Sequence, residues 1–164
     1  MKMEMKLAGV DGVMEMLRKM PAEVVSKRGG PVKTALRKGA KVIHEQAKQN
    51  LQVSIANTTE EGKLLSTGLL LKNLVITRGK APTVGKGERY LVRVRRKAYV
   101  RSGKPVTTLA SAQLLEYGSE KQNAEPWLRP AFQAKAEQAI LTTEKSLILD
   151  IERIAKKLAS QNRN

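Results

Sequence analysis

LEYGSEKQNAEPWLRPAF, residues 115–132, is the stretch on which the reading of the fold turns. Tyr117-Gly118 permits a sharp change of chain direction, because glycine enters backbone regions that a Cβ closes to other residues. Pro126 and Pro130 stiffen the approach to a helix: proline fixes φ, biases the residue before it toward extended backbone, and in a first helical turn removes an amide that has no intrahelical acceptor anyway. Beyond them Phe132, Ala136, Ala139, Ile140, Leu147, Ile151, Ile154 and Leu158 recur on one face, which predicts a helix from just after Pro126 to about Ser160. Trp127 and Phe132 are read as core anchors that pin this helix to a sheet, the commoner role of large aromatics at a helix start. Arg129 has two destinations open, Glu116 of the same chain or a carboxylate on a neighbouring molecule.

Upstream, Leu109, Ala112, Leu115 and Glu116 give Thr108–Tyr117 a weak helical spacing, after a break at Ser102-Gly103-Lys104-Pro105. Tyr90, Val92 and Val94 alternate with Leu91, Arg93 and Arg95, so 90–98 suits a strand, and the apolar, β-branched run 69–77 suits another. The two are expected to pair as a hairpin, with the Gly- and Pro-containing stretch 78–89 as its exposed tip. The polar residues of 53–68 predict a loop. Before it, Val32, Ala35, Leu36, Gly39, Ala40, Ile43, Ala47 and Leu51 form a narrow stripe with Lys33, Arg37, Lys41 and Lys48 largely off it, a basic amphipathic helix starting at Pro31. Met1–Leu7 alternates as a first strand, Asp11 caps a short helix ending before Pro21, and 22–27 reads as helical up to the break at Arg28-Gly29-Gly30-Pro31. The expected fold is α+β: a small antiparallel sheet packed with a long basic helix and a long C-terminal helix. It is read as a single domain over residues 1–160, with an exposed basic hairpin at 69–104 and a frayed tail at 161–164.

With 164 residues, 41% hydrophobic and only 3% aromatic, the core must be mostly aliphatic. The absence of cysteine excludes disulfides and thiolate metal sites and fits cytosolic assembly. The alternation of Met1–Leu7 lacks the continuous apolar run of a secretion signal, and no stretch reaches the roughly 18 apolar residues of a membrane span.

Chemistry-bearing patterns are scarce. His44 is the only histidine, has no second imidazole or cysteine to complete a transition-metal site, and reads as an ordinary helix-surface residue. Glu60-Glu61 and the pair Asp150 and Glu152 read as solvated carboxylates without the shielding that acid–base catalysis needs. Gly85 and Gly87 do not make a phosphate loop. No catalytic residue, cofactor site or metal site is therefore expected, and the chain is read as not an enzyme.

Charge is the strongest compositional signal: 31 Lys and Arg against 15 Asp and Glu, a formal +16. Arg78, Lys80, Lys86, Arg89, Arg93, Arg95, Arg96, Lys97, Arg101 and Lys104 lie within 78–104 beside one acid, Glu88, so this segment alone carries +9. On a strand, Arg93, Arg95 and Lys97 share one face at about 6 to 7 Å per residue pair, compatible with phosphate contact. The competing reading, that the charges solvate an exposed hairpin or dock it on an acidic neighbour, is favoured because Tyr90 and Tyr99 flank the cluster without interleaving as a stacking platform.

Leu115-Glu116-Tyr117-Gly118-Ser119 followed by Ala124-Glu125-Pro126-Trp127-Leu128-Arg129-Pro130-Ala131-Phe132 resembles the E-[FY]-G-[ST] and A-x-P-[FW]-[LM]-R-P-A signature of the lambdoid siphophage tail-component family, whose members are neck or tail-completion proteins. The likeness extends loosely over the rest of the chain, and Trp127 stands where phenylalanine is commoner. The resemblance implies fold-defining roles for Glu116, Tyr117, Gly118, Pro126, Trp127, Arg129, Pro130 and Phe132. It further implies a bacteriophage virion protein at the head-tail interface, assembled in the host cytoplasm. Its copies would form a ring, six by family likeness, coaxial with the DNA channel. Implied partners are other copies of itself, head connector or stopper proteins, and tail terminator or tube proteins, with non-specific DNA contact in the channel and no membrane. The basic segment becomes an assembly arm in this reading. The alternative is a sequence-independent nucleic-acid-binding basic protein.

Overall fold

The computed structural model describes residues 30–57, 68–80 and 87–161. The expected strand at Met1–Leu7 and the helices at 11–20 and 22–27 lie outside these residues, as do most of the expected loop at 53–68 and the middle of 78–89. The described chain is mixed, with long helices and small antiparallel sheets. Its elements are α1 (Pro31–Asn57), α2 (Leu69–Asn73), β1 (Leu74–Arg78), β2 (Tyr90–Val94), β3 (Ala98–Arg101), β4 (Lys104–Thr107), α3 (Thr108–Tyr117) and α4 (Leu128–Gln161). They fall into two compact units, Met1–Gly39 with Gln138–Asn164, and Ala40–Glu137.

In the first unit the start of α1 packs on the distal part of α4. Ala35, Leu147 and Ile151 are buried together, with Val32 against them. Small residues permit this approach: a Cβ on Gly39 would stand 2.8 Å from the Ala139 carbonyl oxygen and closer still to Thr143 Oγ1. The same Thr143 hydroxyl donates to the Ala139 carbonyl at 2.8 Å. Gly39 is therefore where the two helices touch through backbone, which accounts for the narrow seam expected of α1.

The second unit holds the larger core. Ala47 and Leu51 of α1, Leu70 of α2, Leu74 and Val94 of the first hairpin, Ala112 and Leu115 of α3, and Trp127 and Ala131 at the start of α4 are buried together. Trp127 is only 2% exposed, so the anchoring role expected of it holds, whereas Phe132 is half-buried. Full burial of aliphatic and aromatic side chains of this kind stabilises by about 1.5–3 kcal/mol each relative to exposure.

Several local expectations change. Helix α1 does not end near Leu51 but runs to Asn57, because Ser54 is buried and Ile55 half-buried one turn on, extending the stripe through the polar segment. The expected strand at 69–77 begins only at Leu74. Its first five residues are the helical turn α2, closed by Lys72 N–H to the Gly68 carbonyl at 3.1 Å and by the Asn73 side-chain amide to the Leu69 carbonyl at 2.8 Å. β1 and β2 do pair antiparallel, in register from Leu74 opposite Val94 to Arg78 opposite Tyr90. The strand expected over 90–98 stops at Val94, where its partner runs out. A second hairpin, β3 with β4, occupies the break at 102–105: Ser102 and Gly103, both at positive φ, form its two-residue loop between Arg101 and Lys104. Helices α3 and α4 match the expected spans closely.

Candidate functional site

Two constellations in the second unit collect the residues singled out in the sequence. The first joins the end of α3 to the start of α4. A helix begins with four amides that lack intrahelical acceptors, here those of Trp127, Leu128, Arg129 and position 130, where proline has none to place. Glu116 serves the other three. Its Oε2 accepts from Trp127 N–H and Leu128 N–H, each at 2.9 Å, and its Oε1 from Arg129 N–H at 3.1 Å. The Arg129 guanidinium completes the set, donating from Nε to Oε1 at 2.8 Å and from Nη2 to the Glu116 main-chain carbonyl at 3.0 Å. Of the two destinations open to Arg129, the intrachain one is therefore occupied.

The same contacts finish α3. Its last carbonyls accept in turn: Leu114 from Gly118 N–H at 2.8 Å, Leu115 from Glu125 N–H at 2.8 Å, and Glu116 from the Arg129 guanidinium. Trp127 Nε1 donates to the Ala112 carbonyl at 3.3 Å, and Asn50 of α1 donates to the Trp127 carbonyl at 3.1 Å. Gly118, at φ 73, has room for no side chain: a Cβ would lie 2.8 Å from both Ala124 N and the Gln122 carbonyl. Tyr117 is exposed, with the Arg129 guanidinium over its ring at 5.0 Å. The electrostatics agree with both helix dipoles, an anion at the N-terminus of α4 and a cation at the C-terminus of α3. Burial pushes the Glu116 carboxyl pKa up, but the amides of Leu128 and Trp127, then the Arg129 side chain and amide, outweigh it and hold the group below its ordinary 4.5.

The second constellation is the basic segment, and the structure distributes it differently from a single charged hairpin face. Arg78 is neutralised: its Nε and Nη2 donate to the two carboxylate oxygens of Glu88, each at 2.7 Å. Lys86 lies outside the described residues. Lys80, Arg89, Arg93 and Lys104 are exposed, and Arg101 is half-buried on β3. Arg93 alone of the expected Arg93, Arg95 and Lys97 row lies on β2. Arg95, Arg96 and Lys97 form a connector between the two hairpins, all three side chains exposed.

That connector is fixed through its main chain. Arg95 N–H donates to the Asn73 carbonyl and Thr108 N–H to the Lys97 carbonyl, both at 2.9 Å. The Thr108 hydroxyl donates to the Arg95 carbonyl and accepts Lys97 N–H at 2.9 Å. Thr108 is 1% exposed. Nothing in the sequence singled it out beyond its position after Thr107, whose hydroxyl caps α3 by accepting Ala110 N–H at 3.2 Å.

The remaining candidates have local roles. His44 is half-buried rather than on the open helix surface, and its Nε2 lies 3.0 Å from the Leu74 carbonyl. A carbonyl only accepts, so Nε2 carries the proton and ties α1 to β1. Asp150, expected to be solvated, has a side chain only 13% exposed, with one oxygen 3.4 Å from Arg153 and the other without a hydrogen-bond partner. Glu152 is exposed as expected, and Glu60-Glu61 lies outside the described residues. Among the described residues no group of three or more His, Cys, Asp or Glu is placed to hold a metal ion, and no helix is long and apolar enough to cross a membrane. Comparison of the chain with family profiles, with curated protein sequences and with solved structures returns no match.

Proposed function

We propose that this chain is a non-enzymatic structural subunit of a tailed-phage neck, closing into a ring that joins the DNA-filled head to the tail. The observation that carries the reading is the use of the 115–132 signature. Glu116, Gly118, Trp127 and Arg129 are spent on locking α3 to α4, so these residues of the segment that resembles the tail-component family fix a shape. Shape is what a ring subunit supplies. A ring needs contacts that close by rotation, so each copy must offer two different, complementary surfaces. Exposed apolar residues on α4, namely Leu141, Ile148 and Leu149, and on the hairpins, Leu91 and Val100, are candidates for the two.

The reading is tested by mixing the purified protein with head connectors and with tails, with and without DNA. Discrete rings or joined particles, formed whether or not DNA is present, support it. Separate components in every mixture overturn it.

A further inference from the structure

We infer that the Arg95-Arg96-Lys97 connector is a preformed, sequence-independent contact surface for the phosphate backbone of duplex DNA. This inference stands on the connector and does not depend on the neck reading. Two arginines elsewhere in the same unit show how this fold treats a cation it uses itself: Arg78 is held by Glu88 and Arg129 by Glu116. Among the described residues the three connector side chains have no carboxylate partner, and neither do Arg93 and Lys104 nearby.

The connector is nonetheless rigid where it counts. The amide and carbonyl of Arg95 and of Lys97 are all hydrogen-bonded to Asn73 or to Thr108. Its backbone is thus ordered before any partner arrives, which lowers the entropy cost of holding three cations against a polyanion.

The chain's own carboxylates are a sparse source of the missing anion: 15 acidic residues stand against 31 basic ones, and Glu45, Glu88, Glu116 and Asp150 already have cation partners. An acidic protein face is the competing occupant, but residues 95–97 bring no apolar or aromatic anchor beside their charges. Bases of a single strand require aromatic platforms, but Tyr90 and Tyr99 are half-buried, the Tyr99 hydroxyl is 2.7 Å from Ser111 Oγ, and the Tyr117 ring lies under Arg129. What three adjacent exposed cations on a fixed backbone recognise without such aids is a dense row of phosphates.

The test is fluorescence anisotropy with mixed-sequence duplex DNA over a range of salt. It compares the wild type, the triple variant R95Q/R96Q/K97Q, and a charge-matched control, K145Q/K156Q/K157Q, on exposed positions of α4. Circular dichroism checks that each is folded. The connector variant is expected to lose at least about tenfold in affinity, and its salt slope to fall by about three, since each phosphate contact contributes roughly 0.9. The control is expected to keep its slope and lose less than about threefold. Absence of duplex binding at low salt, equal losses in both triples, or displacement of the DNA by polyglutamate at matched charge would each overturn the inference. Failure to join heads and tails with DNA binding intact removes the neck reading alone.

Discussion

The Glu116–Arg129 clamp and the Arg95–Lys97 connector are both short charged segments held by main-chain hydrogen bonds, but they place their charge oppositely. In the clamp a buried carboxylate is surrounded by four donors, three amides and a guanidinium, and the ion pair closes two helix ends at once. In the connector the fastening is done by a neutral hydroxyl, Thr108, while the cations point to solvent. The difference separates charge that makes the fold from charge that the fold displays. A basic residue count alone cannot tell these apart, and the location of the carboxylates does.

The largest break in this contrast is expected from Glu116→Ala. It strands three amides and the Arg129 guanidinium, and should cost about 3–5 kcal/mol in urea unfolding. Thr108→Val comes next. It keeps every charge but removes the hydroxyl on which two connector hydrogen bonds depend, with an expected loss of about 1–3 kcal/mol and faster hydrogen exchange at the Lys97 amide.

Acid sharpens the comparison further. Because the folded pKa of Glu116 is depressed, its contribution is fully present above the ordinary glutamate pKa and is lost as pH falls through the folded value. The stability gap between wild type and Glu116→Gln should therefore be constant near neutrality and shrink as pH drops below about 4.5. A gap that stays the same at pH 2 to 3 would mean that the carboxylate charge is not what the clamp uses. The smallest effect is expected from Arg96→Gln, within about 0.5 kcal/mol, since its side chain is exposed and unpaired.

Much of this architecture was legible in the chain. Helix α4 and most of α1 announced themselves by apolar spacing, α3 only weakly so, and the first hairpin by alternation. The errors came where a tertiary partner decides. β2 reads as continuing to Ala98, yet its ladder ends at Val94 because β1 begins at Leu74, and the span of β1 was itself hidden by the helical turn α2. The clamp was half readable: the turn at Gly118 and the anchoring of Trp127 follow from residue type, and Arg129 was paired with Glu116 only as one of two options. That three backbone amides also converge on Glu116 depends on where α4 starts, which spacing does not fix to the residue. Thr108 carried no signal, since a threonine beside a helix cap is commonplace and its importance lies in two carbonyls and an amide brought from other segments.

Electron microscopy of phage particles made without this protein decides whether it joins heads to tails. The neck reading predicts DNA-filled heads and finished tails that remain separate, and that join once the purified protein is added. Normal, joined virions in its absence would contradict it.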